Sequence, residues 1–187
     1  MSSSIRIAAA LFFLMLPSLG FAQKVQLGLN AADLADMGTL SGEAGVAILR
    51  HWSVSAKAKL NPWTFNAGDP SSQFQRRQQT LWAGTRYWPW HVWSGWWASS
   101  GLQYSEYSRG GISSRETEEG DAYGATLSAG YTLMLDQHFN IEFGIGLWGG
   151  YRVYTVYACP LCGRVVDGGE KPFILPNEAL LTLSYVF

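Results

Sequence analysis

Three histidines, His51, His91 and His138, and serines that include Ser105 and Ser108 are the residues of this chain suited by type to nucleophilic catalysis. A serine hydroxyl attacks an acyl carbon only when a base within hydrogen-bond reach takes its proton. Each histidine stands beside an aromatic residue (Trp52, Trp90 and Phe139) in a segment that reads as a short turn. The serines fall toward the opposite end of the strand that holds them. The spacing therefore separates base from nucleophile, and an enzyme is the alternative reading, not the leading one.

Cys159 and Cys162, in "YACPLCG", are the chain's two cysteines. In a reducing compartment a C-x-x-C pair suggests metal or redox chemistry. No third cysteine and no nearby histidine completes a zinc set here. A local disulfide that shapes a loop is the favoured reading. The acidic run "RETEEG" at 115–120 reads as a solvated loop tip, with a cation or a basic partner as the alternative. The stretch "RYWPWHVWSGWW" holds five of the nine tryptophans, Trp88, Trp90, Trp93, Trp96 and Trp97. So many indoles form either a ligand-stacking platform or an anchor at a membrane–water boundary, where an apolar ring with a polar handle is favoured.

The elements that position these residues follow from the ends and the periodicity. Arg6, the apolar run "IAAALFFLML" and the small residues before Gln23 read as a secretory signal over 1–22, leaving one domain at 23–187. Removal of Arg6 leaves 12 basic groups against 14 acidic ones, so nothing calls for nucleic acid. Charged residues make up 14% of the chain and aromatics another 14%. That charged fraction is well below the roughly 25% of ordinary soluble domains. Segments such as "NEALLTLSYVF" and "DAYGATLSAGYTLML" alternate apolar and polar residues with period two, which is strand periodicity.

Eight strands are predicted, near 24–36, 41–49, 52–64, 76–88, 96–108, 121–135, 140–157 and 177–187. Short connections (50–51, 89–95, 136–139) alternate with longer ones (67–75, 109–120, 158–176), the first turn near 37–40 being short. Pro62, in "NPWTF", is expected to stop the pairing of the third strand. The pattern predicts an all-β fold, an eight-stranded antiparallel transmembrane β-barrel with outer-membrane wiring. A secreted soluble β-domain is the rival. Phe187 at the very end, two residues after Tyr185, resembles the terminal signal read by barrel-assembly machinery. Trp88, Trp90, Trp93, Trp96, Trp97, Tyr185 and Phe187 are then expected at the membrane interface, in contact with outer-membrane lipid.

An eight-stranded barrel is just wide enough to be filled by its own side chains. The alternation points Glu43, Lys57, Lys59, Arg86, Glu142, Arg152 and Glu178 inward, with Trp82, Trp97 and Tyr107. Unpaired, each charge would cost several kcal/mol to bury. A satisfied ion-pair plug is expected, not a conducting pore. No catalytic residue, cofactor or metal is implied.

The ordered pieces "RHWSVSAKAKLNPWTF", "GTRYWPW" and "YGATLSAGYTLMLDQHFNIEFGIGLWGGYRVYTVYACPLCG" resemble the Bacteroidetes outer-membrane family of unknown function DUF3575, from about residue 45 to 187. The resemblance implies an OmpA-like eight-strand barrel with no established activity and no catalytic residues to carry over. Members are encountered beside fimbrial or surface-assembly genes. By association, that implies a structural or interaction role at the cell surface with fimbrial or surface-lipoprotein partners. A lipid A deacylase or acyltransferase working in the outer leaflet is the rival from another class.

Overall fold

The computed structural model describes residues 24–66, 73–110, 116–159 and 163–187, with backbone alone at Asn177 and Glu178. The expected signal segment, 1–22, lies outside them. Eight strands follow one another around a closed antiparallel barrel: β1 (Val25–Asn30), β2 (Leu40–Leu49), β3 (Trp52–Phe65), β4 (Phe74–Tyr87), β5 (Gly95–Gly110), β6 (Thr117–Met134), β7 (Phe139–Tyr157) and β8 (Val165–Val186). One short helix, α1 (Ala31–Ala35), interrupts the series.

The barrel is inverted relative to a soluble core. In β3, Ser53, Ser55, Lys57 and Asn61 are buried, while Val54, Ala56, Ala58 and Leu60 face outward. Leu102 and Ile145, each more than 70% exposed, belong to an outward apolar band that includes Leu27, Leu81, Leu127 and Leu183. Period-two alternation produces this directly, since each strand turns every second side chain to the same face.

Register sets the stagger. Glu43 faces Lys57, which faces Trp82, and the row continues through Gln103, Gly124 and Gly150 to Phe173. Gly28, which faces Glu43, meets Ser184 across the closing seam. The circuit therefore returns eleven residues along β8 (Phe173 against Ser184), one of them absorbed by the irregularity opposite Gly146 and Leu147. A stagger of that size tilts barrel strands by about 35–45°.

Four boundaries differ from the sequence reading. The first strand ends at Asn30, whose Oδ1 accepts from the Ala32 amide and caps α1 (3.1 Å). The last strand begins at Val165, not near 177, although it contains Pro172 and Pro176. Before Thr182 it pairs only with β7 among the described strands, and proline is tolerated on such an edge. For the same reason β3 runs through Pro62, which faces Arg77 of β4 above the start of β2. Of the expected loop at 109–120, both ends are strand among the described residues, because β5 reaches Gly110 and β6 starts at Thr117.

At the end with the long connections the barrel thus opens into a curved six-stranded sheet, β3 to β8. The 31–39 connection fills the gap. Lys59 binds Asp33 at 2.8 Å, Arg76 binds Asp36 at 2.7 Å, and Asn61 donates to Thr39 Oγ1 at 2.9 Å. Asn30 continues the seam past the end of β1: its side chain accepts from the Leu181 amide (2.9 Å) and donates to the Ala179 carbonyl (3.3 Å).

Candidate functional site

Arg86 projects from β4 into the middle of the lumen and is 1% exposed. Its Nη1 lies 2.8 Å from Glu142 of β7, and its Nη2 lies 2.8 Å from Glu43 of β2. Lys57 of β3 reaches the other Glu43 oxygen at 3.6 Å. Gln26 and Ser184 donate to Glu142 from the two strands of the seam. Two cations and two carboxylates from four strands make a charge-neutral plug. Buried pairs persist only when the remaining donors and acceptors are also engaged, and the amide and hydroxyl supply that.

The base of the plug is aromatic. Trp88, Trp93 and Trp97 form one buried cluster with Leu180 and Val186 at the end with the short turns. The Arg86 guanidinium lies 4.3 Å from the centroid of Trp97, and Trp93 meets Trp88 edge-on at 5.6 Å. Trp88 Nε1 donates to Ser53 Oγ at 3.0 Å. Gly130 and Gly144 leave the space that Trp97 fills; a Cβ at Gly130 would stand 2.4 Å from the indole.

This corrects the interfacial reading of Trp88, Trp93 and Trp97. The chain between β4 and β5 turns back across the barrel mouth, with positive φ at Trp93 (70°) and Gly95 (74°). Three indoles are carried under the lumen in consequence. Trp90 and Trp96 remain outside, 70% and 66% exposed, and Trp96 packs edge-on against Tyr131. Tyr185 and Phe187 lie at the same end on the outer surface and meet edge-on, with His138 stacked on Tyr185 and Phe139 edge-on to it.

The inward charges divide into more than one group. Glu43, Lys57, Arg86 and Glu142 share the plug. Lys59 belongs instead to α1 through Asp33. Arg152 sits at the open end, 3.3 Å from Glu118. Glu178 pairs with Gly146 through its backbone, and its side chain lies outside the described residues. Sequence reasoning missed Asp33, Glu118 and Gln26. Glu118 was read as loop because "RETEEG" has no apolar alternation to mark a strand.

Glu118 gathers three donors at the open end: Tyr107 Oη at 2.8 Å, and Arg109 and Arg152 at 3.3 Å each. Burial acts against its charge, but the Tyr107 hydroxyl and the two guanidiniums outweigh it and lower its pKa. Burial raises the Tyr107 pKa, and the Glu118 carboxylate adds to that. On the outward face of the same strands Tyr104 donates to both Asp121 (2.8 Å) and Glu106 (3.0 Å).

The histidines lie at the short-turn end. His51 Nδ1 contacts the Trp88 carbonyl and His138 Nδ1 the Val186 carbonyl, each at 2.9 Å. Cys159 is disulfide-bonded, and the Ala158 amide closes the loop base on the Arg164 carbonyl at 2.9 Å. Cys162 lies outside the described residues.

The family model for proteins of unknown function, DUF3575, matches residues 7–187. The chain belongs to that family. The match spans nearly the whole chain, so this member of DUF3575 is an eight-stranded antiparallel barrel over the residues described. No curated protein matches it. Membership of DUF3575 assigns the chain no activity.

Proposed function

We propose that this DUF3575 protein is a plugged outer-membrane β-barrel, exported by the signal at 1–22, with a structural or interaction role at the cell surface. The observation that carries the reading is the inversion of the barrel: a continuous apolar exterior around a polar, charge-paired lumen. Water would expose that exterior at a large hydrophobic cost; lipid removes the cost.

Two outward aromatic rows bracket the band, Trp96 and Tyr131 at one level, Tyr104, Tyr123 and Tyr151 at the other. Trp96 and Tyr104 are eight residues apart on β5. At about 3.3 Å per residue and about 40° of tilt, the rows stand roughly 20 Å apart. That approaches the ~25 Å apolar band of such barrels. In this reading both termini and the short turns face the periplasm and the open end faces outward.

The reading is non-enzymatic. It is supported by the engagement of His51 and His138 with backbone carbonyls at the end away from Ser105 and Ser108. The open end is the working surface for a fimbrial or surface-lipoprotein partner. Membrane fractionation combined with heat-dependent gel migration tests the placement, and quantitative recovery in a soluble fraction would refute it. Crosslinking from intact outer membranes tests the partner. Unchanged acyl composition of lipid A in a deletion strain is expected; an altered one would replace this reading with the enzyme.

A further inference from the structure

Above the plug, within the concave wall formed by β5 to β8, lies a cavity of about 90 Å³, large enough for a group of a few heavy atoms. Ala122, Trp148, Phe173 and Leu175 supply apolar walls, and Tyr107 and Arg152 also line it. Trp148, 9% exposed, is held edge-on against Phe173 with ring centroids 4.7 Å apart. Its indole Nε1 is buried and has no acceptor among the described residues. The Nε of Arg152, in the same wall, is likewise buried and without an acceptor among them.

Two buried N–H donors on residues that line one cavity are not neutral features. A buried donor without an acceptor costs roughly 1–3 kcal/mol, so native proteins seldom leave one unsatisfied. Among the described residues no side chain supplies the acceptor. Gln78 and Ser105 are engaged with Thr80, and Arg152 meets Glu118 through Nη1, not Nε. The cavity's own charge is positive: Arg109 and Arg152 line it and share the one carboxylate of Glu118. Lys171 faces Arg152 in the register, with its Nζ 4.2 Å from the Tyr154 ring.

We infer that this cavity is a binding site for a small oxyanion on a short apolar stem. The carboxylate or phosphate accepts from Trp148 Nε1 and Arg152 Nε, and the stem lies against Phe173 and Leu175. A neutral ligand could satisfy the two donors but would leave the excess positive charge unanswered. An anion does both, and hydrogen bonds to a charged acceptor are roughly twice as strong as neutral ones. Glu118 has a positioning role: by taking Nη1 it orients the guanidinium so that Nε is left for the ligand.

Calorimetric titration of the purified full chain in a non-ionic detergent tests this, with butyrate, methyl phosphate and 1-butanol as probes. Saturable binding of at least one anion is expected, with 1-butanol weaker by roughly tenfold or more. Tighter butyrate identifies a carboxylate ligand and tighter methyl phosphate a phosphate ester; each supports the site. Arg152→Gln and Trp148→Phe should each weaken the anion by roughly tenfold while the heat-dependent gel shift of the folded barrel is kept. If either variant fails to fold, the indole N–H resonances of the ¹⁵N-labelled wild-type protein serve instead. One of them should shift saturably with the anion and not with 1-butanol. Equal binding of butyrate and 1-butanol, binding unchanged by both substitutions, or no indole shift at about 10 mM of either anion would overturn the proposal. So would an ordered water bridging the two donors in crystals soaked with each anion.

Discussion

The guanidinium of Arg86 rests 4.3 Å from the centre of the Trp97 ring while it bridges Glu43 and Glu142. The buried cation is thus held from the side by charge and from below by the electron-rich face of an indole. Such a cation–π contact is worth about 2 kcal/mol when desolvated. It ties the aromatic base to the ion-pair plug, so neither is expected to survive loss of the other unchanged.

Arg86→Met should therefore destabilise the barrel by about 3–5 kcal/mol, because two carboxylates remain buried without their shared cation. Urea unfolding in detergent micelles, followed by the gel shift, reads the loss. Adding Glu142→Gln should recover much of it, because Lys57 still pairs with Glu43. A double variant no more stable than the single one would mean that packing around the arginine, not charge, holds the lumen.

The plug's participants were largely legible in the sequence, because alternation assigns a face to every strand residue once one is known. Ser53 to Asn61 on β3 and Arg86 on β4 came out inward by that rule alone. Trp88 and Trp93 did not, because they lie in or beside the 88–94 segment, where no period operates and a positive φ at Trp93 decides the direction. The early start of β8 was hidden by Gly168, Gly169, Pro172 and Pro176, which signal a turn unless the strand is known to be an edge. Helix α1, five residues long, is too short to show a helical period.

The tryptophans make a second test. In vesicles of brominated lipid, Trp96→Phe should reduce the quenchable part of the fluorescence, since that ring faces outward. Trp88→Phe should lower total emission and leave the quenchable part unchanged. Equal responses would place both rings in contact with lipid.

Gly130→Val should cost stability, because its Cβ would stand 2.4 Å from Trp97 and 2.2 Å from the Phe143 carbonyl. Overpacking of this kind costs about 1–3 kcal/mol. The gel-shift temperature should fall accordingly, and an unchanged one would mean that the Trp97 ring has room to move aside.

Acid should loosen the open end before the rest. The Glu118 pKa is lowered in the folded protein, so its contribution is present above the ordinary carboxylate range and lost as pH falls through the lowered value. Hydrogen-exchange protection at the outer ends of β6 and β7, taken relative to the intrinsic exchange rate at each pH, should fall between about pH 5 and pH 3. In Glu118→Gln it should be low at both values.

Planar bilayers provide the last test. Wild-type protein should show negligible conductance. Replacement of Trp88, Trp93 and Trp97 by alanine, which removes the base of the plug, should raise it measurably. Stable wild-type channels would contradict a sealed lumen.

The unequal strand pairings have a mechanical consequence. β7 and β8 are joined from Phe139 to Tyr157, whereas β1 meets β2 only from Val25 to Gly28 and β8 only from Gln26 to Asn30, before the Asn30 side chain takes over. The shell is therefore latched by one short strand, paired briefly on both of its sides. Local opening follows the least-paired joint. Strain on this barrel would part it there first, peeling β1 and α1 away while the long ribbon of β5 to β8 stays whole.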